Sequence, residues 1–195
     1  CAGGDIHELR SLDQQDAYKG AREGQELMSR GERLREVPVV AVHAACAGGG
    51  CELSLACDLR FGAAGCRIGL PETSIGVIPG WGGTVRTQRL FGPSVAKRIV
   101  LAAKLWPADA ALRLGLLHDG FPDDQFRDCV EGEIARLLTR SPAGLRHAKA
   151  LLNEFVAGDL EAQLEREGVE FAACYAAGEP QEGVTAFLEK RPPKW

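Results

Sequence analysis

Ala47-Gly-Gly-Gly-Cys-Glu-Leu-Ser-Leu-Ala-Cys-Asp58 is the stretch from which the rest of the chain can be read. Three consecutive glycines run into a short pattern of small and apolar residues (Cys51, Leu53, Leu55, Ala56) that suits a buried helix. Without Cβ atoms, Gly48, Gly49 and Gly50 allow a tight turn and the close approach of another molecule. A glycine turn feeding a helix also presents free N–H groups and the positive end of the helix dipole. Such a site suits a group that is negative or becomes negative. Glu52 has the wrong sign to be that group's counter-ion, so the reading is a proton-transfer carboxylate beside the turn.

The segments on either side support a strand-to-turn-to-helix unit. Val37-Pro-Val-Val-Ala-Val42 is a β-branched run of strand length that leads into the turn. Leu59–Gly62 and Arg67–Leu70 read as two more short strands. Ile75-Gly-Val-Ile-Pro-Gly-Trp-Gly-Gly83 is too rich in Gly and Pro to be regular and reads as a shaped loop. Upstream, Ser11–Glu36 is a polar helix, or two, with Leu27 and Leu34 as apolar anchors and Gly20, Gly24 and Gly31 weakening it. Downstream, helices fit Thr84–Leu90 and Ser94–Ala103 with a break at Gly92-Pro93, then Asp109–Leu114, then a stripe of Phe126, Val130, Ile134, Leu137 and Leu138. Ser141-Pro142 starts another helix with Leu145, Leu151, Leu152 and Phe155 as its stripe. Leu160–Ala177 and Gln181–Lys190 complete a helical second half. No fixed-period repeat is visible.

The chain of 195 residues is 45% hydrophobic and 26% charged, enough for one substantial core. A net charge of -4 argues against a nucleic-acid footprint. No apolar run reaches the length of a membrane span, and no signal-peptide pattern opens the chain. It begins at Cys1 within a strand-to-loop transition, which reads as the start of a fragment or a processed product. The 7 cysteines form no CxxC pair and read as reduced, buried small hydrophobes. Four isolated histidines, His7 and His43 among them, offer no metal-ligand spacing.

Phosphate-binding patterns do not fit: no lysine follows the glycines, and G-x-G-x-x-G spacing is absent. Glu52 and Glu72 are the more telling pair. Each lies beside a backbone shaped by Gly or Pro, in otherwise apolar sequence. Burial would raise both pKa values toward neutrality, as general acid–base work requires. A glycosidase uses the same pair, but three Trp and two Tyr leave little to stack on sugars.

These residues together resemble the crotonase (enoyl-CoA hydratase/isomerase) superfamily. The matching pieces are C-A-G-G-D-I at 1–6, A-G-G-G-C-E-L-S-L-A-C-D at 47–58, G-L-P-E-T-S-I-G-V-I-P-G-W-G-G-T at 69–84 and G-V-T-A-F-L-E-K-R-P at 183–192. The two glutamates stand 20 positions apart, as in the hydratase branch. The resemblance implies an α/β fold, a spiral of β-β-α units over 1–120 with a helical trimerisation region over 121–195. The family's N-terminal strands are expected to precede Cys1. It further implies a homotrimer or hexamer, in bacterial cytoplasm or the mitochondrial matrix; the hydropathy and charge read above argue against a membrane and make a nucleic-acid partner unexpected.

The implied reaction is syn addition of water to a 2,3-enoyl-CoA, with no cofactor beyond the CoA of the substrate and no metal. Gly4 and Gly49 would supply the two N–H groups of an oxyanion hole for the thioester carbonyl. Glu52 would hold and activate water, Glu72 would exchange the proton at Cα, and Gly80 would lie near the water. Ala2, Asp5, Ile6, Phe171, Phe187 and Lys190 match CoA-contacting positions. Ala44, Trp81 and His7 depart from the family pattern, and Trp81, in place of a small residue, is expected to alter the acyl pocket. An isomerase of the same family is the alternative. So is a non-catalytic scaffold that presents RNA with basic residues Arg86, Arg89, Lys97 and Arg98.

Overall fold

The computed structural model describes residues 1–154, 182, 186 and 189–194. The helix expected over 160–177, with Phe171, and the position of Phe187 lie outside the described residues. Two compact units divide the chain: residues 1–34 with 38–130, and residues 35–37 with 131–195.

In the first unit, β1 (Val39–Val42), β2 (Ala45–Ala47) and α3 (Gly49–Leu55) form one β-β-α turn. The segment β3 (Leu59–Ala63), β4 (Arg67–Gly69) and α4 (Gly83–Leu101) forms the next. The first strands of the two turns pair in parallel, Val39 opposite Leu59, and the second strands do likewise, Ala45 opposite Arg67. The result is a spiral of small sheets. β6 (Asp119–Phe121) extends the first sheet in parallel, and β5 (Leu105–Pro107) closes the second in antiparallel fashion. Between them lies α5 (Ala108–Leu114), ended by Gly115 in the left-handed region at φ 80°. The core between the sheets and α3–α5 is built from Cys51, Leu55, Phe61, Ile68, Leu70, Ile99, Trp106, Ala111, Leu116 and Leu117.

The polar N-terminal stretch folds as α1 (Ile6–Ser11) and α2 (Gln14–Glu32), each capped by an aspartate, Asp5 and Asp13. The apolar anchors differ from expectation. Leu27 and Leu34 are exposed, and Gly24 and Met28 are buried instead. These two stand one helical turn apart, so they share the inward face. Gly92-Pro93 breaks the long helix α4 as expected, with Gly92 at φ 75° and ψ 167°.

Residues 126–138 form α6, where Phe126 and Val130 are buried and Leu138 is exposed. Helix α7 (Pro142–Glu154) starts at Ser141, whose hydroxyl accepts from the Gly144 N–H at 2.8 Å. Leu152, expected on its apolar stripe, is 77% exposed, while Ala143 and Lys149 are buried. Lys149 Nζ donates to the Glu36 carbonyl at 2.8 Å, which satisfies the buried ammonium. None of the described helices is long and apolar enough to cross a membrane.

Candidate active site

The parallel pairing of β2 with β4 explains why two glutamates so far apart in sequence meet. Ala47 lies opposite Gly69, and the Gly48 N–H donates to the Gly69 carbonyl at 3.1 Å. Both strands therefore release the chain at the same end, one into Glu52 on α3 and the other into Glu72 on a 3₁₀ turn (Glu72–Ile75). A third segment lines up on the opposite edge of β2. The Cys1 nitrogen donates to the Ala45 carbonyl at 3.3 Å, and the Ala47 N–H donates to the Cys1 carbonyl at 3.1 Å. That is the pattern of a parallel ladder, so Gly3 and Gly4 emerge beside the glycine turn.

Each glycine of the triplet answers a different demand. Gly48 holds φ 54° and ψ -124°, outside the range of ordinary side chains, and a Cβ there would meet Glu72 Oε1 at 3.4 Å. At Gly49 a Cβ would lie 2.4 Å from the Trp81 ring, and at Gly50 2.2 Å from the Cys1 carbonyl oxygen. Gly49 is also the first residue of α3, so its N–H has no intrahelical acceptor. Gly4 faces the same indole, its notional Cβ 3.8 Å from the ring. The two glycines expected to form an oxyanion hole thus flank one aromatic ring.

Glu52 is buried, at 2% exposure. Its Oε1 accepts from the Trp81 and Gly83 N–H groups, both at 2.8 Å. Burial raises its pKa, opposed by the Gly83 and Trp81 N–H groups and by the nearby Arg86 charge. Glu72 is in the opposite situation. Neither carboxylate oxygen is exposed, and neither has a hydrogen-bond partner among the described residues. Burial pushes it up to about 7; its own backbone N–H opposes this, and the Glu52 charge adds to it. One carboxylate is thus oriented by two donors while the other is left free to carry a proton near neutral pH. Pairs whose surroundings differ in this way divide acid and base roles.

The loop that holds Glu52 is itself braced by α2. Gln25 Nε2 donates to the Gly80 carbonyl at 2.9 Å, and Arg86 Nη1 donates to the Trp81 carbonyl at 2.8 Å. Arg86 is held in a two-point ion pair with Glu32 through Nε at 2.7 Å and Nη2 at 3.0 Å. Of the four basic residues considered for an RNA-presenting face, Arg86 is buried and paired, while Arg89, Lys97 and Arg98 are exposed, Arg98 lying 5.1 Å over the Trp106 ring. Sequence reasoning missed Gln25, Glu32 and the packing role of Gly24. The one available signal was an isolated glycine inside a helical pattern, which often marks a close contact.

The remaining candidates separate. Asp5 is exposed, and its carboxylate caps α1 by accepting from the His7 N–H at 2.8 Å. Ala2 is exposed, and Ile6 opens α1. In the second unit Lys190 is exposed in a turn at φ 54°. Of the cysteines, Cys46, Cys51 and Cys66 are buried free thiols, Cys57 and Cys129 are half-buried and Cys1 is exposed.

A family model described as enoyl-CoA hydratase/isomerase matches residues 1–195. The chain is 35% identical to a crotonyl-CoA hydratase of Syntrophomonas wolfei, over 97% of this chain and 73% of that protein. It is 33% identical to a 2,3-dehydroadipyl-CoA hydratase of Escherichia coli, over 98% and 74%. A solved enoyl-CoA hydratase from Bacillus anthracis superposes with a TM-score of 0.93 at 30% identity, over 100% of this chain and 76% of that one.

Proposed function

Because the chain belongs to the enoyl-CoA hydratase/isomerase family, we propose that it adds water across the 2,3 double bond of an enoyl-CoA thioester. The two hydratases above are named for different acyl groups, so the shared chemistry is the reaction at the thioester. The observation that carries the proposal is the contrast between the two carboxylates. Glu52 is oriented by two backbone donors, and Glu72 has no hydrogen-bond partner among the described residues and a pKa of about 7.

The Gly4 and Gly49 N–H groups take the thioester oxygen, where negative charge grows as the nucleophile adds. A donor of this kind stabilises the transition state by about 3 kcal/mol. Glu52 holds the water by its carboxylate. As the water oxygen bonds to C3, Glu52 takes the water proton, and protonated Glu72 delivers its own proton to C2. Proton exchange after product release returns the pair to its starting state. The same steps in reverse dehydrate a 3-hydroxyacyl thioester.

The test follows the ultraviolet absorbance of the conjugated thioester with crotonyl-CoA as substrate. Wild type is expected to turn over. Glu52→Gln and Glu72→Gln each lower kcat by at least ~100-fold, within the range a positioned acid or base supplies, with circular dichroism unchanged. Wild-type activity in either variant overturns the two-carboxylate mechanism.

A further inference from the structure

Trp81 fills a slot that only glycines leave open. Its pyrrole edge packs on α2 at Gly24, where a Cβ would lie 2.1 Å from Cδ1. Its benzene edge packs on Gly49, 2.4 Å from Cζ3, and reaches Gly4. Two positions that must lack a Cβ, Gly24 and Gly49 from separate segments, press on the ring, and Gly4 stands beside it with room for a Cβ at 3.8 Å. The carbonyl of Trp81 is fixed by Arg86, and its N–H is fixed on Glu52. The ring therefore has little freedom to swing away. Trp81 as a residue is half-buried.

We propose that the Trp81 indole is the wall that ends the acyl site and restricts the protein to short acyl chains. The inference rests on the reaction proposed above. In that reaction the thioester oxygen lies at Gly4 and Gly49, and C3, two bonds from the carbonyl carbon, lies at Glu52. The Trp81 ring packs on Gly49 and stands beside Gly4, and its backbone N–H donates to Glu52, so the residue is held next to both ends of this short span. Carbons beyond C4 must leave past the ring, and a packed aromatic cannot give way without displacing Gly24 or Gly49. Overfilling a packed site is unfavourable, so each added methylene beyond the wall lowers the specificity constant instead of raising it.

The experiment measures kcat/KM for 2-enoyl-CoA substrates of four, six, eight and ten carbons with wild type, Trp81→Phe and Trp81→Ala. Wild type is expected to fall at least tenfold from four to eight carbons. Trp81→Ala raises the eight-to-four ratio at least tenfold, and Trp81→Phe gives an intermediate ratio. If alanine at this position prevents folding, the phenylalanine variant alone decides, with at least a threefold rise expected. A ratio unchanged in the folded variants, or a wild type equally active on all four lengths, overturns the wall. No turnover of any length by wild type overturns the proposed reaction and the wall with it, an outcome distinct from turnover without length preference.

Discussion

Glu72→Gln tests the electrostatics of the site apart from catalysis. In the folded protein Glu72 titrates at about 7 because burial disfavours its charge, against 4.5 for an ordinary glutamate. The folded state therefore keeps this proton over a range where the unfolded state has released it. Stability falls as pH rises from about 4.5 through about 7 and levels off above. Complete shielding would make that loss about 3 kcal/mol at one pH unit per 1.36 kcal/mol. Glu72 is only half-buried as a residue, though its carboxylate oxygens are covered, so solvent screening reduces the figure to about 1–2 kcal/mol. Glutamine is close in shape to the protonated acid and cannot ionise. At pH 5 wild type and variant should melt within a degree or so of each other. At pH 8 the variant should melt roughly 2–8 °C higher, from about 2–4 °C per kcal/mol for a chain of this size. Thermal unfolding followed by circular dichroism at both pH values reads the difference directly. The same melting difference at pH 5 and pH 8 would refute the claim that a charge at Glu72 is costly in the fold.

Two further substitutions probe the frame around the carboxylates. Gly49→Ala drives a Cβ to 2.4 Å from the Trp81 ring, so urea unfolding should show a loss of roughly 1–3 kcal/mol; an unchanged midpoint would mean the ring is not wedged there. Arg86→Met breaks the ion pair with Glu32 and frees the Trp81 carbonyl. Glu32 keeps a third of its side chain in solvent, which places the cost near the low end for a buried pair, about 3 kcal/mol. Removing the Arg86 charge also takes away an influence that lowers the Glu52 pKa. The acidic limb of kcat/KM should therefore move to higher pH, and a limb that stays in place would separate Arg86 from Glu52.

Local sequence determined the elements whose causes are local. A β-branched run made β1, three glycines made the turn, Gly92-Pro93 broke α4, and Ser141-Pro142 started α7. The two glutamates stood out because they interrupt apolar sequence beside shaped backbone. The repeat of the spiral was not legible. Its two sheets keep different offsets, 20 residues from Val39 to Leu59 but 22 from Ala45 to Arg67, so no single period runs through the residues. The short strands β2, β5 and β6 carry only three residues each, too few for an alternation to show.

What the tertiary structure alone decided is how the glutamates differ. Glu52 and Glu72 have the same side chain in similar sequence surroundings. One meets the N–H groups of Trp81 and Gly83, about 30 residues downstream, and the other meets none among the described residues. The same holds for Gly24, which by propensity only weakens a helix but in the fold makes room for an indole. Hydrogen-bond partners and close contacts between distant segments depend on strand register and helix packing, and residue types and spacing do not encode these directly. The sequence named the two carboxylates and the glycine turn between them; the parallel pairing of β2 with β4 gave each carboxylate its own environment.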